Sequence, residues 1–341
     1  MPLDAESRQG QPPHAEPSHD DRPLAGADLP RWNRVLAITG VTLLGFGALA
    51  MLLTGLDGRE ILGEPAWAKP AKFGISFGIF CLSWAWMSTY VPARYDFFAQ
   101  VLGVIIAVAS AYEIAWVAIQ AFRGTPSHFN NLTDLDQTLY SIAGTLVLVV
   151  WMATAILTVL TWGFNGIDRP FRVALRLGGL IALVGIALGF LMTVPTARQR
   201  QQIEDGQRPS LIGAHAVGVA DDQAGLPFLG WSVEGGDLRI GHFVGIHALQ
   251  LLPLIAVLLA AASRRCPRLA SEAVRTRIVM ISAGAYLAVT ALVTVQALRG
   301  QPLLEPDLLT GVSALAILAA SAAAITLVLH RAPPGVVKTR A

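Results

Sequence analysis

Charge is what this sequence has least of: Asp, Glu, Lys and Arg make up 14% of its 341 residues, against about 25% in a soluble domain. The shortage is concentrated in long apolar runs, which read as bilayer spans and exclude an ordinary soluble chain. Lysine is scarcest, present only as Lys69, Lys72 and Lys338, so the basic residues are mostly Arg. The net charge of +2 comes from 25 basic and 23 acidic residues, and no stretch is basic enough to suggest nucleic acid as a partner. Two cysteines, Cys81 and Cys266, exclude a disulfide framework or a cysteine-rich metal centre. No segment has the pattern of a nucleotide-binding loop, which argues against ATP coupling within the chain. The Ala, Gly and Arg enrichment is typical of a GC-rich bacterial genome.

Residues 1–32 are polar, with Pro, Asp, Glu and Arg throughout, and cannot bury enough apolar surface to fold; a disordered tail is predicted. The first apolar run exceeds the roughly 7–15 residues of a signal-peptide core, so it reads as a retained anchor. Eight runs follow, covering about 34–54, 71–91, 98–121, 140–163, 172–194, 241–262, 277–298 and 308–330, each long enough to cross about 30 Å of hydrocarbon. In lipid each backbone must satisfy its own hydrogen bonds, so each is helical. The predicted fold class is all-α: a polytopic membrane helix bundle of about eight transmembrane helices.

Arg and Lys accumulate in cytoplasmic connections. Here they favour the even-numbered ones, with Arg94 in the second, Arg169 and Arg172 in the fourth, and Arg264, Arg265, Arg268, Arg275 and Arg277 in the sixth. Both termini are therefore expected in the cytoplasm, in a bacterial cytoplasmic membrane. A short segment recurs: Gln120-Ala-Phe-Arg-Gly-Thr-Pro126 near the end of span three matches Gln296-Ala-Leu-Arg-Gly-Gln-Pro302 near the end of span seven. Arg34, Gly40 and Gly47 likewise match Arg172, Gly178 and Gly185. This suggests a parallel 4+4 repeat, an arrangement known in transporters, with halves 33–166 and 167–331. A long outer loop, 195–240, would interrupt the second half, and a cytoplasmic tail, 332–341, would end the chain.

Four groups of residues could carry chemistry. Lys69 and Lys72 sit one helical turn apart at the outer start of span two. Lysines near helix ends commonly anchor a span by snorkelling, but a desolvated ammonium is also a ready charge partner, and Lys72 lies deeper. Glu113 is an intramembrane carboxyl, costly unless paired or hydrated. Gln120 lies seven residues on along the same face, leading to Arg123, His128 and Asn130. His242, His247 and Gln250 occupy the outer half of span six. With His128 they could form an imidazole site for a divalent metal, or else a hydrogen-bonded network in a wet cavity. Arg299 and Gln296 duplicate Arg123 and Gln120; the two Arg could hold an anionic substrate or cap the last carbonyls of their helices. The resulting candidates are Glu113, Lys72 and His247 for catalysis, His128, His242 and His247 for metal, and Gln120, Arg123, Asn130, Gln250 and Arg299 for substrate. In the N-in arrangement all lie toward the outer face.

Three motifs, Lys69-Pro70-x-Lys72-Phe73-x-x-Ser76, Gln120-x-x-Arg123-Gly124-x-x-Ser127-His128-Phe129-Asn130 and His242-Phe243-x-Gly245-x-His247-x-x-Gln250, resemble those of a group of uncharacterised bacterial multi-spanning membrane proteins. The resemblance covers most of 33–330 and implies a membrane location without an activity. The partners expected are the lipid bilayer and a small-molecule substrate. Three functional readings stand: a membrane-embedded enzyme, metal-dependent or not; a small-solute or proton-coupled transporter; and a sensor or assembly factor. The inner halves of spans two, three, six and seven are almost wholly apolar, which favours a one-sided pocket over a through-path.

Overall fold

The computed structural model describes residues 32–164, 166–223 and 225–332; the expected tails, 1–32 and 332–341, lie almost wholly outside the described residues. Among those residues the chain is a helix bundle with two short hairpins. In order the helices are α1 (Arg34–Leu56), α2 (Ala68–Met87), α3 (Asp96–Arg123), α4 (Asp134–Thr161) and α5 (Arg169–Leu188). They continue with α6 (Ala197–Glu204), α7 (Leu238–Ile246), α8 (Ala248–Ala262), α9 (Glu272–Leu298) and α10 (Leu308–Arg331). Antiparallel pairs β1 (Glu60–Ile61) with β2 (Glu64–Pro65) and β3 (Ala216–Val217) with β4 (Gly236–Asp237) close two of the connections.

Local chemistry sets the helix ends. The Asn33 side chain accepts from Leu36 N at 3.1 Å, Thr133 from Asp136 N at 3.1 Å and Asp307 from Thr310 N at 2.8 Å, each satisfying an amide the first turn leaves open. The Thr133 cap starts α4 at Asp134, earlier than the expected 140, because Asp134 and Asp136 in its first turn dilute the apolar signal.

Six helices are long and apolar enough to cross a membrane, or seven if α7 and α8 form one bent span. This is a multi-pass membrane protein. The expected count of about eight is not reached by that measure. The helix that falls outside it is α2, whose 20 residues include Lys69, Lys72, Ser76 and Ser83. Span six differs from expectation in shape, with α7 and α8 meeting at a 42° bend. Kinks have identifiable causes. Here Pro253 lies within α8, where its ring excludes the amide that the Leu249 carbonyl would accept from. The carbonyl of Val244, at the break, is taken instead by the Tyr286 hydroxyl.

Glycines let backbones touch. A Cβ on Gly74 would lie 2.8 Å from Gly47 Cα, and one on Gly78 would lie 3.0 Å from Gly40 O. This is the close small-residue packing that lipid, with no hydrophobic effect between helices, favours. In the same way α5 meets α8 at Gly178 against Ala248, and α7 at Gly185 against Gly245. One buried cluster, including Leu36, Trp84, Ile106, Leu157, Phe171, Leu249 and Val279, draws on helices from both expected halves. Large apolar residues such as Val41, Val108, Leu258 and Leu315 are exposed around the bundle, as befits a lipid-facing surface.

Candidate ligand cavity

At the end of the bundle that carries the long connection 194–237, α2, α3, α4, α5 and α7 part around a cavity of about 570 Å³. Its wall is mainly apolar and aromatic, including Phe73, Phe77, Phe80, Phe129, Tyr140 and Trp231. Its polar residues come from elements far apart in sequence: Glu64, Lys69 and Lys72, Glu113 and Gln120, His128, His215 and Asp221, and Arg239, His242 and His247. A concave, largely apolar site with a few converging polar groups is the usual form of a small-molecule pocket.

Most of these charges neutralise one another. Lys72 Nζ donates to Glu64 Oε2 at 2.6 Å and to the Leu229 carbonyl at 3.0 Å. Arg239 bridges Glu64 at 3.0 Å and the fully buried Asp237 at 2.6 Å. It also donates to the Gly230 carbonyl. This four-residue network ties the start of α2 to the start of α7 and to the long connection. Burial pulls the Glu64 carboxyl up, but Lys72 and Arg239 outweigh that and hold it below the ordinary range. Gly230 lies at φ +67°, and a Cβ there would run into the Glu64 carboxylate, so the network requires glycine at this turn.

A second pair lies in the same connection. Asp221 accepts from the amides of His215 and Ala216 and from His215 Nδ1 at 2.9 Å. Burial raises this carboxyl, yet the imidazole and the two amides prevail and hold it at about 2. Burial depresses His215 against the opposing pull of Asp221, and depresses His128 well below the ordinary imidazole range. The His128 ring sits in an aromatic cage, 4.9 Å from Trp116, 5.2 Å from Phe73 and 6.0 Å from Tyr140, centroid to centroid.

Two ionisable residues are left over. Glu113 is 1% exposed, and neither carboxyl oxygen has a hydrogen-bond partner among the described residues. Lys69 makes no ion pair or hydrogen bond among them; its ammonium stands 5.8 Å from the Phe73 ring centroid, and its field reaches Glu113, His128 and His215. Buried polar groups are nearly always satisfied, so the two bare oxygens of Glu113 call for an explanation. Backbone strain collects here too. The non-glycine residues at positive φ among those described are Leu62 (50°), Phe129 (63°) and Phe228 (62°), and all three line the cavity. Such conformations cost about 1–3 kcal/mol each and tend to cluster at functional sites.

The cavity thus collects Glu113, Lys72, His128, Gln120, His242 and His247 from the sequence-based candidates. Others have different partners. Arg123 pairs with buried Asp136 at 2.7 Å, and Arg299 pairs with Asp307 at 2.6 Å; neither lines the cavity. The matching turns are alike: Gln120 Nε2 donates to the Pro126 carbonyl and Gln296 Nε2 to the Pro302 carbonyl, around Gly124 and Gly300 at φ +69° and +72°. Asn130 binds Thr125 and the Pro126 carbonyl within its loop. Gln250 links Ser83 Oγ at 2.9 Å to His247 Nδ1 at 3.4 Å.

The expected metal set of His128, His242 and His247 does not converge. No group of three or more His, Cys, Asp or Glu among the described residues could hold a metal ion. Each ring is oriented by a separate partner: Nδ1 of His242 engages the Gly185 carbonyl at 2.8 Å, that of His247 engages Gln250, and that of His128 engages Ser127 Oγ at 3.1 Å. Sequence reasoning did not single out Lys69 over Lys72, nor Asp221, Arg239 or Tyr140. Asp221, six residues after His215, and Arg239, two after Asp237, carried a local signal; Lys69 and Tyr140 carried none that separated them from anchoring residues. Comparisons with protein-family models, with curated proteins and with solved structures gave no match.

Proposed function

We propose that this protein binds a small molecule bearing an acidic group in the cavity, on the extracytoplasmic side of a bacterial cytoplasmic membrane, and that it acts there as an acid–base enzyme without a histidine-bound metal. Lys69 supplies the positive charge for the acidic group, Glu113 gives or takes a proton, and the aromatic wall holds the apolar body. The observation that carries this reading is that, among the described residues, Lys69 and Glu113 are the Lys, Arg, Asp and Glu side chains of the cavity that make no ion pair or hydrogen bond, while the others are paired. The apolar cluster around Trp84, Leu157 and Leu252 underlies the cavity, which supports a one-sided pocket. Proton-coupled transport is the second reading, supported by the break between α7 and α8 beside the cavity, since discontinuous helices mark binding sites in transporters.

Calorimetric titration of the protein in nanodiscs with octanoate, a water-soluble probe with both features, tests this. Saturable binding is expected, weakened at least tenfold by Lys69→Met. Repeating it in buffers of different ionisation enthalpy reads the proton exchanged, and Glu113→Gln should abolish that exchange. Equal binding by wild type and Lys69→Met would overturn the assignment. Uptake of labelled octanoate into proteoliposomes, dependent on a proton gradient, would favour the carrier.

A further inference from the structure

The cavity wall does not close all the way round. On one side it includes residues at the bundle surface: Gly144 on α4, and Phe190 and Thr193 in the turn after α5, are exposed and yet line the cavity. Gly144 lies ten residues into α4, about 15 Å along the helix axis. A Cβ added there would have nothing within 4 Å. Deeper down the same two helices are joined, where Trp151 Nε1 donates to the Leu183 carbonyl at 2.9 Å. Helices α4 and α5 are therefore held together below, and the open side of the cavity lies above that contact, beside exposed apolar residues such as Ile142 and Leu191. From this gap inward runs Tyr140, whose hydroxyl has no hydrogen-bond partner among the described residues. The caged His128 comes next, then Phe73 with Lys69 beside it.

Resting on the ligand-binding reading above, we propose that the ligand is a single-tailed anionic amphiphile that enters sideways from the bilayer between α4 and α5. Its acidic head lies at Lys69, and its tail runs past His128 and Tyr140 and out by Gly144 and Phe190 among the acyl chains. The alternating requirement of the site explains this class: one unneutralised cation at the inner end, an aromatic path, and an apolar exit into lipid. A wholly soluble anion would have no use for the exit, and an uncharged lipid would leave the partly buried Lys69 without a directly paired acid. A fatty carboxylate and a lipid phosphate monoester share the required chemistry.

The test uses the full chain in nanodiscs doped with palmitate carrying a mid-chain diazirine or, in a second arm, with a single-chain lysophosphatidate carrying the same group. After illumination, peptide mass spectrometry should place crosslinks on 140–147 and 186–193. Lys69→Met should lower them at least fivefold. Gly144→Trp, at a site with room for a larger side chain, should obstruct the gap and lower them similarly in a protein whose thermal midpoint is retained. Palmitate labelling alone identifies a carboxylate head, and lysophosphatidate labelling alone a phosphate head. Crosslinks scattered over outward surfaces and indifferent to both substitutions, with octanoate binding intact, would overturn the lateral route and leave the binding reading standing. Loss of octanoate binding in wild type as well would overturn both.

Discussion

Lys69 and Lys72 lie one helical turn apart on α2 and meet opposite fates: Lys72 is held between Glu64 and the Leu229 carbonyl, while Lys69 pairs with no carboxylate among the described residues. Removing the first should cost stability, and removing the second should cost binding. Lys72→Met leaves Glu64 with one cation in place of two, and the expected loss is about 1–3 kcal/mol, read as a lower thermal midpoint in detergent. Lys69→Met should leave that midpoint within about 2 °C of wild type, or raise it, because no ion pair or hydrogen bond is broken and a desolvation cost is relieved.

The unpartnered Glu113 leads to a related expectation. Glu113→Gln preserves shape and removes the ionisable proton, so folding should be retained while ligand-coupled proton exchange is lost. Glu113→Leu should stabilise the protein by roughly 1 kcal/mol, since two buried oxygens without partners are replaced by apolar atoms. A large destabilisation in Glu113→Leu would mean that the carboxyl is a structural hydrogen-bonding group.

Acid should weaken the fold in two stages. Burial holds His128 and His215 below the ordinary imidazole range, so near pH 6 the unfolded chain binds protons there that the folded chain refuses. Their contribution is intact above about pH 6.5 and is lost as pH falls toward their folded values, at up to about 1.4 kcal/mol per pH unit per histidine. Asp221 is held at about 2 although burial opposes it. Its contribution persists above the ordinary carboxylate range and disappears only as pH drops from about 4 toward 2. Thermal midpoints measured from pH 8 to pH 4 should fall below 6.5, and His128→Phe should flatten that slope.

The two Gln–Arg turns give an internal comparison. Arg123→Ala leaves Asp136, which is 2% exposed, with only the neutral donors Gln120 and Thr133, and should cost about 2 kcal/mol. Arg299→Ala should cost distinctly less, because its partner Asp307 is 38% exposed and water can replace the lost contact. Octanoate binding should survive both. Loss of binding in Arg299→Ala with an unchanged midpoint would restore Arg299 as a ligand contact.

Close helix approach can be tested without touching the cavity charges. Gly185→Ala drives a methyl group into the Gly245 backbone, and should cost at least 2 kcal/mol because backbone cannot yield as a side chain can. Gly45→Ala, with nothing within 4 Å, should be neutral or slightly stabilising. Denaturation in mixed micelles checks both.

What the sequence determined by itself follows from solvent and period. Long uncharged runs demand helices in lipid, so the all-α bundle was legible, as was the gathering of Glu113, His128, His242 and the α2 lysines at one end. Side-chain period also put Glu113 and Gln120 on one face, and both line the cavity. Tertiary structure alone decided which charges cancel. Lys72 meets Arg239 through Glu64, and Arg239 is 167 residues further along the chain, a relation no local spacing encodes. It also turned the histidine rings toward Gly185, Gln250 and Ser127 rather than toward one another. The bend at His247 belongs to this second kind, since Pro253 marks a weak point in the helix while the Tyr286 hydroxyl, from α9, donates to the Val244 carbonyl at the break. Hydropathy records how much each residue dislikes water; it does not record whom each residue meets once water is gone.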